Sequence, residues 1–305
     1  MNDKNEDLIQ GAGDSGLPVN ASLFTILLCI LFGANAVAVK ISFTGLGIFT
    51  SAGLRFSMAA LTIYLWARLA GKPLAIKRSQ FPQLLFIALI FFAQLSLFYA
   101  GLNRTTASHG TLIANVLPFG VMLLAHFFVP GETIVLKKIV GLILGFCGVL
   151  LLFFDSARFT SQMVTGDLLI LLAVSVWSFN AVYTKRIIAG YHPIQITLYP
   201  LMMASILFLC SGFIFDDTMV SRVDATIIKA MLYQIFVTAS FGMVAWNTMI
   251  SKYGATSLHS FVYIMPVSGV VLGVFLLKEP VTYNLVASLL LIAAGLIIVN
   301  RRTEK

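Results

Sequence analysis

The sequence predicts an all-α, polytopic membrane protein: ten transmembrane helices arranged as two inverted five-helix repeats. Three observations carry that expectation. The 305 residues are 59% hydrophobic and only 10% charged, whereas a soluble domain carries about 25% charged residues. Apolar runs of about 20 residues, enough to span ~30 Å of hydrocarbon, recur from end to end. The motif Asn-Ala-Val-x-x-Lys is written twice, from Asn35 to Lys40 and from Asn180 to Lys185, 145 positions apart.

Residues 1–21 are polar, acidic and Gly-rich, which predicts a disordered cytoplasmic tail. The tail lacks the basic n-region of a signal peptide. Its Gly13-Asp14-Ser15-Gly16 superficially resembles a protease nucleophile motif, but no His in a catalytic context accompanies it. The spans are placed at 22–40, 49–67, 82–102, 107–129, 138–154, 167–185, 193–214, 228–251, 255–277 and 281–299. Short links with turn residues, such as Gly71-Lys72-Pro73 and Lys278-Glu279-Pro280, make consecutive helices antiparallel neighbours. Cys29, Cys147 and Cys210 each sit in an apolar run at unrelated spacings, so they are read as packing residues facing other helices.

The charge pattern orients the helices. One side collects 13 Lys and Arg, including Arg68, Lys72, Lys137, Lys185 and Lys252, while the other holds five: Arg104, Arg158, Arg222, Lys229 and Lys278. By the positive-inside rule both termini are cytoplasmic. The net charge of +8 is thus a topology signal and not a nucleic-acid footprint.

The twin motif belongs to a wider self-similarity. Ala107 through Pro118 aligns with Ala255 through Pro266 at an offset of 148, and Tyr99 with Trp246 and Glu132 with Glu279 at 147. Two five-helix units follow, 22–155 and 166–301. Five is odd, so the second unit enters the membrane from the opposite face. Such inverted repeats are the architecture of many secondary transporters, with the substrate site between the halves near the midplane. Asn35 and Asn180 each lie about 20 Å along their helices, bracketing the centre.

Phe32-Gly33-Ala34-Asn35, Leu54-Arg55-Phe56, Ala107 through Pro118, Gly131-Glu132, Gly141 through Gly148, Trp177-Ser178, Gly254 through Pro266 and Lys278-Glu279-Pro280 form an ordered, duplicated series. In this the chain resembles the EamA-type branch of the drug/metabolite transporter superfamily from about Ser22 onward. The resemblance implies ten helices, cytoplasmic termini and a cavity opening alternately to each side. It implies transport of amino acids, related metabolites or drugs without choosing among them.

Candidate substrate contacts follow from polar groups at membrane depth, which are costly and usually face a cavity or another helix. Ser108, Thr111 and Asn115 share one helix face, and their repeat mates are Thr256, His259 and Tyr263, with Ser260 adjacent. Each stripe ends in a proline, Pro118 or Pro266, which frees a carbonyl and permits a bend. Trp177 and Asn180 share a face with Tyr183, and Trp177 lies too deep to be an interfacial anchor. Tyr99 and Trp246 read equally as ligand-stacking groups and as anchors. Gln94 and Gln234 are further candidates. Lys40 is expected to snorkel to the interface. Arg55 reads either as a structural tie or as a partner for a substrate carboxylate. His109 and His126 are read as polar contacts between helices.

All Asp and Glu, Asp167 among them, are placed in the tail, in loops or at helix ends, leaving His259 as the midplane group able to titrate. That favours facilitated flux or exchange, with weak His-linked proton coupling as the minor alternative. Glu132 and Glu279 are expected to cap the helix that follows each. Gly141/Gly145 and Gly269/Gly273 are small-residue faces for packing within each half or between protomers, so a homodimer is allowed. No HExxH, paired aspartates, placed Ser/His/Asp set or P-loop is written, so an intramembrane enzyme or nucleotide-driven pump is set aside. Neither cofactor nor metal is implied.

The reading is an exporter of small amphipathic metabolites such as amino acids, in a bacterial inner membrane, with lipid and a small-molecule substrate as partners. A sugar-phosphate, nucleotide-sugar or drug transporter is the alternative. Phosphorylated substrates would want more intramembrane cations than Arg55 and Lys40.

Overall fold

The computed structural model describes residues 18–128, 136–153, 160–253, 258 and 261–300. Thr256, His259, Ser260 and Glu132 lie outside the described residues, as does the Gly13–Gly16 motif. Among the described residues the regular structure is helical, apart from one isolated bridge between Leu46 and Val220. Seven stretches are long and apolar enough to cross a membrane: Val19–Ser42, Ile48–Leu69, Arg78–Arg104, Ala107–Phe128, Ser161–Ile187, Pro193–Phe215 and Ala225–Trp246. Ile139–Leu152, Ile264–Leu277 and Tyr283–Val299 are apolar and shorter. Large side chains such as Leu65, Ile206, Phe213 and Leu290 are exposed on the outer surface, where lipid would solvate them. The chain is a multi-pass membrane protein.

Where the helices depart from uniform spans, local chemistry explains most departures. The first run divides at Ala34 into α1 (Val19–Gly33) and α2 (Asn35–Ser42). After α3 (Ile48–Leu69) and α4 (Phe81–Arg104), the fourth run divides into α5 (Ala107–Ala114) and α6 (Leu117–Phe128). Pro118 has no N–H to offer Ala114, and the Asn115 side-chain amide turns back to the Thr111 carbonyl at 2.8 Å. The bend expected at Pro118 is therefore present. Pro266 has a similar neighbourhood: a turn at Phe261–Tyr263 leads into α12 (Ile264–Leu277), and Met265 N donates to Val262 O at 3.0 Å.

Between lie α7 (Leu136–Phe153), α8 (Ser161–Ile187) and α9 (Pro193–Phe215). The eighth run winds as α10 (Ala225–Leu232), a π-helix over Tyr233–Gly242, and α11 (Met243–Tyr253). The chain's last described helix is α13 (Tyr283–Asn300). Because α8 starts at Ser161, Asp167 stands inside a helix and is buried, which corrects its placement at a helix end.

Helices from the two parts of the chain interleave. α7 packs on α13, α4 on α8, α3 on α9, and α12 on both α1 and α5. Small residues permit this. A Cβ on Gly141 would stand 2.8 Å from the Gly295 carbonyl and 2.4 Å from Val299 Cγ2. The Gly269/Gly273 face seats Thr111 and Ser108 of α5. Both small-residue faces thus join the N-terminal part of this chain to its C-terminal part. Cys29 is buried, whereas Cys147 and Cys210 are exposed and do not face other helices as expected.

The bundle has two chemically distinct ends. At one, Gly47 N donates to Met219 O at 3.0 Å and Ser221 N to Gly45 O at 2.9 Å. The Asp216 carboxylate there caps α3, accepting Phe49 N at 3.2 Å, Thr50 N at 2.8 Å and the Thr50 hydroxyl at 2.7 Å. Glu279 caps α5 in the same manner, accepting Ala107 N at 2.5 Å, Ser108 N at 2.9 Å and the Ser108 hydroxyl at 2.6 Å. This corrects the expectation that Glu279 caps the helix after it, since the Thr282 hydroxyl accepts Leu285 N there at 3.1 Å. At the opposite end, Gln195 Nε2 donates to Ala75 O at 2.5 Å and Gln80 Nε2 to Gly190 O at 2.7 Å.

Candidate functional site

Arg55 is the centre of the candidate site. It lies two turns into α3 and is only 8% exposed. Its Nη1 donates to the Tyr99 hydroxyl of α4 at 3.0 Å, and its Nη2 to Thr238 Oγ1 of the π-helix at 3.3 Å. The guanidinium carbon sits 5.0 Å from the Phe56 ring centre. Thr238 shares its single proton between Asn35 Oδ1 at 3.1 Å and the Gln234 carbonyl at 2.9 Å. Four elements (α2, α3, α4 and the π-helix) are thereby joined through one cation.

Among the described residues no carboxylate pairs with Arg55, and its buried Nε has no hydrogen-bond partner. Neutral hydroxyls compensate a buried cation poorly; leaving a charge uncompensated in a low-dielectric interior costs several kcal/mol. The guanidinium therefore presents a standing demand for an anion, with a free N–H to meet it.

A second polar pair lies between α4 and α8. Asn180 Nδ2 donates to Gln94 Oε1 at 3.1 Å, and Asn180 Oδ1 is buried without a partner. Gln234 Nε2 donates to the Ala38 carbonyl at 3.1 Å, leaving Gln234 Oε1 unpartnered, and Thr111 Oγ1 is likewise unpartnered. Buried polar atoms are nearly always satisfied, so a set of exceptions marks where polar groups await a ligand or water. An apolar crevice of about 270 Å³, lined by Thr62, Ile63, Trp66, Phe236, Ser240 and Phe241, lies on the same seam between α3 and the π-helix.

The sequence candidates divide. Asn35, Arg55 and Tyr99 come together in one network, and Tyr99 is too deeply buried to be an interfacial anchor. Asn180 joins Gln94 instead. Trp177 is half-buried one turn before Asn180. Trp246 packs edge-on against Phe32 at 5.9 Å, beside Leu28 and Met249, in a separate cluster. Ser108 is engaged by Glu279 and serves the α5 cap. Asn115 and Tyr263 are half-buried at the breaks before α6 and α12. Lys40 does not snorkel to water; its ammonium donates to the Thr105 carbonyl.

Two features escaped the sequence reading. Thr238 sits four residues after Gln234, one helical turn on, and that spacing was the available signal. Asp167 meets His109 at 2.8 Å, which the underestimated length of α8 concealed.

A multi-pass helical bundle holding a buried, anion-seeking cation among neutral polar groups has the form of a membrane transporter. The chain belongs to the EamA-like transporter family, which matches it twice, over residues 19–154 and 164–301. It is 27% identical over 295 residues to the "Uncharacterized transporter YvbV" of Bacillus subtilis, covering 93% of this chain and 92% of that one. It is 26% identical over 286 residues to a "Probable amino-acid metabolite efflux pump" of Escherichia coli, covering 90% and 93%. A solved crystal structure superposes with a TM-score of 0.69 at 18% identity, covering 92% of this chain and 98% of the other, and shares the fold. Family and relatives are transporters, not enzymes.

Proposed function

We propose that the protein exports small amphipathic metabolites bearing a carboxylate, amino acids and related compounds, by alternating access between two inverted five-helix repeats, 22–155 and 166–301. The observation that carries this reading is the buried Arg55 with no carboxylate partner among the described residues and a free Nε. A substrate carboxylate supplies the missing charge through fork-like hydrogen bonds. Tyr99 and Thr238 hold the guanidinium when the site is empty, with Asn35 behind Thr238, and Asn180 and Thr111 offer the unpartnered polar atoms for the rest of the ligand.

The paired family matches, the breaks before α6 and α12, and the name of the Escherichia coli relative support the reading. Asn35 also reaches Thr238 across the chain just as Asn180 reaches Gln94, a reciprocal pairing suited to two related halves. With Lys40 tied to the Thr105 carbonyl, Arg55 is the one cation facing this network among the described residues, which fits one carboxylate better than a phosphate. The charge asymmetry supports cytoplasmic termini, and the bacterial relatives support a bacterial inner membrane as the setting.

Counterflow of labelled amino acids in proteoliposomes tests the proposal. Loss of one buried charge-assisted contact of about 2–5 kcal/mol lowers exchange by Arg55→Ala at least roughly 30-fold. Arg55→Lys retains the charge without the fork and falls between. Unchanged exchange in Arg55→Ala, or no amino acid moved by the folded wild type, overturns the carboxylate reading and turns the search to hydrophobic amines and nucleosides.

A further inference from the structure

Arg55 belongs to one polar layer of the seam where α2 and α3 pack on the π-helix, and a second layer lies one turn away. In the first layer Thr238 bonds Asn35 and receives Arg55 Nη2. In the second, Gln234 Nε2 donates to the Ala38 carbonyl at 3.1 Å and lies 3.8 Å from Met231 Sδ. The Ser51 hydroxyl reaches the same sulfur at 3.8 Å. Asn35 and Ala38 stand about one turn apart on α2, Thr238 and Gln234 on the π-helix, and Arg55 and Ser51 on α3. All three elements therefore contribute to both layers.

The second layer has an acceptor to spare. Gln234 is fully buried, and its Oε1 has no hydrogen-bond partner. The sense of the amide is fixed, because the Ala38 carbonyl can only accept and so takes the NH2 group. The hydroxyls nearby are committed elsewhere. Ser42 donates to the Val39 carbonyl at 2.7 Å, and Ser51 lies 2.7 Å from Ser42 Oγ with Met231 Sδ as its other contact. Among the described residues two buried carboxamide oxygens lack partners, Asn180 Oδ1 on α8 and Gln234 Oε1. Of these, the Gln234 oxygen lies on the element bonded to Arg55, one turn from that bond.

We propose that Gln234 is a specificity-determining residue. Its Oε1 accepts a hydrogen bond from a donor on the carbon next to the substrate carboxylate, and so selects 2-amino acids over acids that carry no donor there. Arg55 Nε offers a free donor and Gln234 Oε1 a free acceptor, on layers about 6 Å apart along α3. With a hydrogen bond of about 3 Å at each end, that spacing suits a carboxylate and a donor on adjacent carbons. A second anionic oxygen placed at Gln234 would meet an acceptor and be repelled. A site that buries an acceptor for a substrate N–H or O–H rejects the analogue lacking it, because the oxygen is then left unmet. The inference rests on the carboxylate reading of Arg55 and on alternating access, since a ligand reaches Gln234 only when α2 and the π-helix part.

Binding constants of the full-length protein in nanodiscs, measured by isothermal titration, test it. The probes are leucine, methionine and phenylalanine, each beside its 2-hydroxy and 2-oxo acid. The hydroxy and oxo acids carry the same charge and differ in the donor alone, so their ratio isolates the hydrogen bond. In the wild type the hydroxy acid should bind about 5- to 150-fold more tightly than the oxo acid, and the amino acid at least as tightly as the hydroxy acid. Gln234→Met keeps the volume without the acceptor and should bring the hydroxy-to-oxo ratio to about one. A purely structural role would weaken all three ligands together and leave the ratio as it was. Arg55→Ala should do that, because every probe carries the carboxylate.

Equal binding of hydroxy and oxo acids by the wild type overturns the proposal without any variant. A ratio that survives Gln234→Met does so too, as it would if Gln234 Oε1 were satisfied by a structural water only. Either result, with binding still lost in Arg55→Ala, strikes the role of Gln234 and spares the carboxylate reading. Binding of none of the probes strikes both, whereas a ratio abolished by Gln234→Met beside unchanged binding in Arg55→Ala strikes the carboxylate reading and leaves Gln234 as the donor-reading residue.

Discussion

Asp216→Ala isolates the contribution of a long-range helix cap. The carboxylate is contributed by the end of α9 and accepts three hydrogen bonds from the first turn of α3, at 3.2, 2.8 and 2.7 Å. Loss of an N-cap side chain costs about 1–2 kcal/mol. The negative charge at the helix N-terminus adds about 0.3–1 kcal/mol. A total of roughly 2 kcal/mol corresponds to about 30-fold in the unfolding equilibrium, and at about 2–4 °C per kcal/mol it lowers Tm by roughly 4–8 °C. Asp216→Asn retains an acceptor oxygen and loses the charge, so it should fall about half as far. The exposed neighbour gives the control: Asp217→Ala should leave Tm unchanged. Tryptophan-fluorescence melting in one detergent at one scan rate makes the comparison. If Asp216→Ala and Asp217→Ala melt together, the cap is not stabilising and the argument fails.

Other perturbations probe different terms. Gly141→Ala drives a methyl to 2.4 Å from Val299 Cγ2 and 2.8 Å from the Gly295 carbonyl, so it should cost about 1–3 kcal/mol, whereas Gly190→Ala meets open space and should melt as wild type does. Lys278 ends α12 in the left-handed region at φ 56°, and Lys278→Gly should raise Tm by a degree or more through relief of about 1 kcal/mol, with Lys278→Val lowering it. Asp224 caps α10, and the Ile227 amide, with the Arg222 charge and the Thr226 amide, holds its carboxyl below the usual range. A depressed carboxylate stabilises above its unfolded pKa, about 3.9, and loses that contribution as pH falls through the lower folded value. Amide exchange at Thr226 and Ile227 should accelerate across that acid window in wild type and show no such step in Asp224→Asn.

The membrane class was legible because 59% apolar composition and repeated spans of fixed length have no soluble solution. The bend at Asn115 was legible because proline lacks a donor. The π-helix was not. Tyr233–Gly242 contains no proline, and its π winding depends on how this segment meets α3 and α2; the Ser240 hydroxyl also reaches back five residues to the Ile235 carbonyl at 2.8 Å. Glu279 was legible as a cap but not as the cap of α5, because a helix N-terminus accepts any carboxylate brought to it and sequence distance does not show which. The Arg55 network mixed both cases. Arg55 and Asn35 announced themselves as polar groups in apolar runs, while Thr238, a small hydroxyl common in packed helices, did not.

The candidate site gathers where the helical ladder is least regular. Asn35 opens α2 just after the interruption at Ala34, Asn115 sits in the break before Pro118, and Gln234 and Thr238 lie in the π-helix. A uniform α-helix satisfies its own backbone and offers a partner little but side chains. Interruptions widen the turn and give neighbouring helices room to shift. Arg55 itself sits on an unbroken α3, anchored at its start by Asp216, so the charge is borne by a straight element and its partners by interrupted ones. That division favours motion of α2 and the π-helix around a stationary cation. On the proposed reading, a substrate carboxylate arriving at Nε would compete with Thr238 and Tyr99 for the guanidinium, and its binding energy would be spent at the segments freest to move.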